Sequence, residues 1–249
     1  MDRHVEGIGM INNSLQNMGV RLHVLENRVP VEQQLEYLFF SHKLKRSARK
    51  KVQKMNEEEL EKFFEQLSSA ELPMVEKKKI LSLTASSSEI RAFRLLENYM
   101  KQPDEELANW ASMALMECQM ALESDLSGER QIYISTGLGG KGEKLRFYVL
   151  LFSSEGAPFE SYQREVIEKE FGYYLSKNDC EIERLSIFDN YVEFVFLMPF
   201  LSDMYKILEQ ALAECNVYGS FLSERISVTN VRELNKEEIN EILTHRLGN

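Results

Sequence analysis

Long apolar runs are missing from this 249-residue sequence. The most apolar stretch, Phe194 to Leu201, falls well short of the roughly 20 residues that cross a bilayer, and Pro199 interrupts it. It reads as a core strand. Cysteine is scarce: Cys118, Cys180 and Cys215 are odd in number and widely spaced, which excludes a disulfide framework or a CxxC metal or redox site and suits a reducing compartment. The four histidines, His4, His23, His42 and His245, show no HExxH or paired spacing, so neither zinc nor His-based catalysis is encoded locally, and no cofactor is expected. Positive charge is also in deficit, with 30 Lys and Arg against 40 Asp and Glu. A net charge of -10 repels phosphate backbones and anionic membranes, so nucleic-acid contact would have to be local and membrane contact is not expected. Met1-Asp2-Arg3-His4-Val5-Glu6-Gly7 carries acids where a signal peptide is basic, with no uninterrupted apolar region behind it, so the expected location is cytoplasmic.

Hydrophobic residues make up 43% and charged residues 28%, an ordinary globular mixture, and the length suits two domains. The expected fold class is α+β, with a helical domain over 1–126 and an α+β domain over 127–249. From Val31 to Ser124 the apolar residues recur with helical spacing. Asn56 followed by Glu57, Glu58 and Glu59 predicts an N-cap with acids in the first turn, and Leu60, Phe63, Phe64 and Leu67 supply the apolar stripe. Pro73 opens the next helix, whose apolar positions Val75, Ile80, Leu81 and Leu83 run to the Ser86-Ser87-Ser88 break.

Ser88-Glu89-Ile90-Arg91-Ala92-Phe93-Arg94-Leu95-Leu96 continues through Tyr99 to Gln102-Pro103-Asp104-Glu105-Glu106-Leu107, and then to Trp110-Ala111-Ser112-Met113-Ala114-Leu115. The segment 88–123 resembles a HEAT-type helical hairpin, in which a helix ends at a Pro-Asp turn and the next begins with acids. A generic αα-hairpin carries the same pattern. Phe93, Tyr99 and Trp110 read as its core.

After Ser127-Gly128 the period changes. Strands are predicted over 131–135 and 145–152, joined as a hairpin by Thr136-Gly137-Leu138-Gly139-Gly140-Lys141-Gly142-Glu143. A helix over 159–175 follows, with Tyr162, Val166, Ile167, Phe171 and Tyr174 on one face. Strands 181–187 and 191–198 flank Asp189-Asn190, residues that tolerate left-handed turn conformations. A helix from Met204, a strand over 224–228 and a helix over 236–247 opened by Asn235 complete the order. From residue 145 this is β-α-β-β-α-β, the split arrangement called ferredoxin-like, here with an extra hairpin strand and a C-terminal helix.

Two features carry candidate binding chemistry. The loop residues Gly139, Gly140, Lys141 and Gly142 suit close approach of backbone amides to an anion, but Lys141 precedes Gly142 rather than Ser or Thr, so this is no P-loop. It is either a mobile hairpin loop or a loop that orders on a partner or an anionic ligand. The basic cluster Lys43, Lys45, Arg46, Arg49, Lys50, Lys51 and Lys54 stands out in an acidic chain. With Leu44, Ala48 and Val52 as a narrow seam, it is either a solvated helix paired with Glu57, Glu58, Glu59 and Glu61 or a contact for RNA, DNA or an acidic protein.

Tyr191-Val192-Glu193 followed by Pro199 resembles the layout of ferredoxin-like nucleases and transposases that carry a His-hydrophobe-His metal pair on a central strand. Tyr191 and Glu193 occupy both histidine positions, which removes the metal ligands and the activity with them. Ser135, Ser153 and Ser154 lie outside any GxSxG elbow, Asp189 and Glu193 read as a turn residue and an exposed strand residue, and no RNP-type signature accompanies Phe147, Tyr148, Phe152, Phe194 and Phe196. The functional expectation is a non-enzymatic adaptor or regulatory protein with a protein partner. The alternative is a nucleic-acid- or ribosome-associated factor using the 43–54 segment and the 137–142 loop.

Overall fold

The computed structural model describes residues 20–45, 56–69, 71–87 and 89–247. The chain is mixed α+β, helical first and then built on a mostly antiparallel sheet. Two compact units meet in sequence between Ser135 and Thr136, later than the 126/127 boundary expected from composition.

The first unit runs β1 (Val20–Val24), α1 (Val31–Lys45), α2 (Glu57–Glu65), α3 (Met74–Ala85), α4 (Ile90–Tyr99), α5 (Ala108–Ser127) and β2 (Arg130–Ile134), with short 3-10 turns at Gln66–Ser68 and Glu105–Leu107. Asn56 caps α2 through a reciprocal box: its side chain accepts from the Glu59 amide at 2.9 Å, and the Glu59 carboxylate accepts from the Asn56 amide at 3.0 Å. The hairpin expected over 88–123 is present as α4 and α5, and the Tyr99 hydroxyl ties to Asp104 in the turn between them at 2.9 Å. α5 also packs against α1 and α3. Around it Leu81, Leu96, Leu107, Ala111 and Met113 are fully or almost fully buried. Trp110 sits edge-on to Tyr37 and Phe40, and its indole nitrogen donates to the Ser82 hydroxyl at 3.0 Å.

Strand β2 departs from expectation. It pairs in parallel with β1, in register from Val20 with Arg130 to Val24 with Ile134, and forms no hairpin with the strand at 144–152. Gly128, at φ 68, ends α5 by donating to the Ser124 carbonyl and lets the chain enter β2. A parallel partner more than a hundred residues away along the chain leaves no local signal, whereas the adjacent strand does. Two strands alone are marginal in water, and here side chains reinforce them: His23 stacks on Tyr133 with centroids 4.8 Å apart and bonds Gln131 at 2.7 Å, while Arg21 pairs with Glu129.

The second unit runs β3 (Gly140–Lys141), β4 (Lys144–Phe152), α6 (Ser161–Lys177), β5 (Glu181–Ile187), β6 (Tyr191–Pro199), α7 (Met204–Val217), β7 (Ser227–Thr229) and α8 (Lys236–Leu247). The short β3, inside the glycine-rich stretch, takes the hairpin position against β4 that was expected of 131–135. The sheet order is β3-β4-β6-β5, with β7 also on β4, and every pairing is antiparallel. Alternate residues of β4 enter two cores. Val149 and Leu151 join Val192, Phe194 and Phe196 beneath α6 and α7, whereas Tyr148, Leu150 and Phe152 join Val195 and Ile239 of α8 on the opposite face. Asp189 and Asn190 make the β5–β6 turn without positive φ; among the described residues other than glycine only Asp179 and Ser220 adopt it. No helix among the described residues is long and apolar enough to cross a membrane.

In the helical core the Glu117 carboxylate accepts from the Tyr37 hydroxyl at 2.8 Å and from Ser41 at 2.7 Å. Burial, and then the Glu117 charge, push the Tyr37 phenol well above its ordinary value. Tyr37→Phe is expected to cost about 1–3 kcal/mol in urea unfolding at neutral pH, because a donor to a buried carboxylate is lost. A raised folded value means that the phenol's contribution is complete below pH of about 10, where the unfolded phenol begins to ionise, and is lost above it. The gap between wild type and variant should therefore narrow above that pH; a constant gap to pH of about 11 would contradict the assignment.

Candidate interaction surfaces

The glycine-rich stretch is packed down. Thr136 to Gly140 are buried, the Leu138 amide donates to Asn230 at 3.0 Å, the Arg146 amide donates to Gly139 at 3.0 Å, and Leu138 enters the core beneath α8. A Cβ on Gly137 would collide with the Val231 carbonyl, so the glycine there allows two backbones to touch, while Gly139 and Gly142 take φ of 66° and 58°. The stretch thus packs against Asn230 and Val231 and supplies β3, instead of only joining two strands as a loop.

Lys141 and Lys144 face a cleft of about 330 Å³ that is also lined by Glu143, Asp179 and Glu181. Lys144 donates to Glu181 at 2.9 Å and to Asp179 at 3.0 Å, and Lys141 lies 3.7 Å from Glu181. Its hydrogen bonds to Glu181 and then to Asp179 raise the Lys144 ammonium, and Lys144 in turn lowers Glu181. Two lysines among three carboxylates leave the cleft without the net positive charge that an anion requires.

Of the basic segment, Lys43 is exposed near the C-terminal end of α1 and the backbone of Lys45 closes that helix. Arg46, Arg49, Lys50, Lys51 and Lys54, together with Ala48 and Val52, lie outside the described residues.

On the α8 side of the sheet, charged groups occupy the area toward β5. Arg146 forks onto Glu183, with one nitrogen 2.8 Å from an oxygen, and donates to the Leu138 carbonyl at 2.7 Å. The Tyr148 hydroxyl donates to Glu193 at 2.9 Å, and Arg184 joins Glu233 at 2.6 Å and lies 3.9 Å from Glu193. Burial, then Glu193, raise the Tyr148 phenol, and the Glu233 hydrogen bond raises the Arg184 guanidinium. Glu193 is thus a held, largely buried carboxylate rather than the exposed strand residue expected, and Tyr191 stacks on Phe188 at 4.5 Å. No cluster of three His, Cys, Asp or Glu among the described residues is arranged to hold a metal. Phe194 and Phe196 lie beneath α6 and α7, and Tyr148 and Phe152 beneath α8, so these rings offer no open stacking face.

Sequence reasoning missed the outer side of α1. Gln34, Tyr37 and Ser41 face the core, while Leu35 and Phe39 on the opposite side and Leu38 on the flank between are 49%, 75% and 50% exposed, beside exposed His42 and Lys43. The signal was available: Leu35-Glu36-Tyr37-Leu38-Phe39-Phe40 holds more large apolar residues than a helix buried along one stripe can use.

No protein-family model matches the chain, and comparison with curated proteins gives no match. Among solved structures, one similar chain is that of "Structure of the REP associates tyrosine transposase bound to a REP hairpin". It is 8% identical with a TM-score of 0.32, and the alignment covers 39% of this chain and 61% of that one. A likeness at that level carries no argument about what this chain does.

Two outcomes test these surfaces. Gly137→Ala should cost about 3 kcal/mol or more because backbone must move, against about 1 kcal/mol for Gly142→Ala, which meets open space; a reversed order in urea unfolding would refute the packed loop. The three thiols are buried, with burial pushing Cys118 and Cys215 up to about 12 and Cys180 up to about 11. A disulfide reagent at neutral pH should therefore label none of them in the folded protein and all of them after denaturation.

Proposed function

We propose that this protein is a non-enzymatic adaptor or regulatory protein of the cytoplasm that binds another protein through the outer face of α1. The observation that carries this reading is the exposure of Leu35, Leu38 and Phe39 on a helix whose opposite stripe already forms the core. A second apolar stripe costs solubility unless something covers it, and a helix face with anchors at i, i+3 and i+4 is a common form of protein docking. The 136–249 unit is read as a ferredoxin-like domain, a reading supported by the order β4-α6-β5-β6-α7-β7 and the pairing sequence β7-β4-β6-β5. The helical unit is read as a small bundle rather than a HEAT stack, since α5 touches α1, α3 and α4 together.

The nucleic-acid or ribosome reading loses support in the loop, where Lys141 and Lys144 are matched by Glu181 and Asp179. Affinity capture of the tagged chain from its native cells, with and without nuclease, separates the two. The adaptor reading expects a nuclease-resistant protein that Phe39→Glu loses and Lys141→Glu keeps. Nuclease-sensitive recovery of nucleic acid or ribosomal proteins, indifferent to Phe39, would replace it with the alternative.

A further inference from the structure

The exposed face of α1 is self-complementary. Leu35, Phe39 and His42 follow the 4-3 spacing of a helix-pairing seam on the side opposite the buried Tyr37 and Ser41, with Val31 and Leu38 along its flank. Charge is graded along the same face: Glu32 is exposed at its N-terminal end and Lys43 at its C-terminal end. A parallel mate would set Glu32 against Glu32 and Lys43 against Lys43. An antiparallel mate sets each Glu32 against the other helix's Lys43 and opposes the two helix dipoles. The two-fold axis that makes this crossed pairing passes beside Leu38, in the middle of the apolar patch.

We infer that a second copy of this chain docks on the face, α1 against α1, antiparallel about a two-fold axis. The inference rests on the reading of α1 as a docking face and names its occupant. The face from Val31 to His42 spans about 17 Å of helix. That is short of the roughly 800 Å² per partner of a standard interface, so the dimer dissociates in the micromolar range.

Sedimentation equilibrium of the full chain, from roughly 1 to 300 µM, tests it. The wild type should pass from monomer to dimer over that range, and Phe39→Glu and Leu38→Glu should stay monomeric with unchanged helical circular dichroism, since both side chains are exposed. Glu32→Lys and Lys43→Glu should each weaken the dimer about five-fold, two contacts being lost in each dimer, and the double variant should restore it. A wild type monomeric throughout, or a dimer indifferent to Phe39→Glu, overturns the inference; failure of the double variant to restore association overturns the antiparallel arrangement. If the wild type is monomeric yet Phe39→Glu still loses a captured protein, the docking reading stands and its occupant is a different chain. If Phe39→Glu dissolves the dimer but leaves capture unchanged, the self-association stands and the adaptor reading falls.

Discussion

Strand β4 is the constraint on which the second unit depends. Every one of its residues has a partner in β6, and β3 and β7 pair with it as well. Because successive side chains point to opposite faces, one strand commits Val149 and Leu151 to one core and Tyr148, Leu150 and Phe152 to the other. Each of these large side chains is worth roughly 1.5–3 kcal/mol of burial, so a one-residue slip of β4 would empty both cores together. Covering both faces with helices is what seals the sheet's aromatic residues away from ligands.

Charge in this unit serves enclosure. Arg232 and the Asn235 amide hold the Glu238 carboxyl down to about 2 at the start of α8, and Arg184 ties Glu233, just before that helix, to the sheet. On strand β6, Glu193 accepts from the Tyr148 hydroxyl and lies near Arg184. Arg184, shared between Glu193 and Glu233, links this strand carboxylate to the segment that leads into α8. In the helical unit, by contrast, α1 carries more apolar surface than its core consumes.

Much of the second unit was legible because its signals are local. The strands at 181–187 and 191–199, the helix from Met204 and the closing helix behind Asn235 announce themselves through alternation, 3.6-residue spacing and caps. The Asn56 capping box was equally plain. What stayed hidden depends on distant partners. Parallel pairing of β2 with β1 has no short-range signature, and the packed state of the glycine-rich loop follows from Asn230 and Val231, which arrive about ninety residues later in the chain. Glu193 looked like an ordinary exposed acid because its partners Tyr148 and Arg184 come from neighbouring strands. The outer stripe of α1 was visible in composition, but only the observed burial of Tyr37 and Ser41 tells which side of the helix is left over.

The parallel pair that closes the helical unit has a consequence for synthesis. Arg21 and Glu129, which meet beside it, are 108 residues apart. At about 5–20 residues per second, β1 leaves the ribosome roughly 5 to 20 s before its mate exists. During that interval β1 presents unpaired amides and carbonyls and α5, the helix the bundle packs around, is itself still to be made, so the nascent chain passes through a stage in which β1 is an open edge.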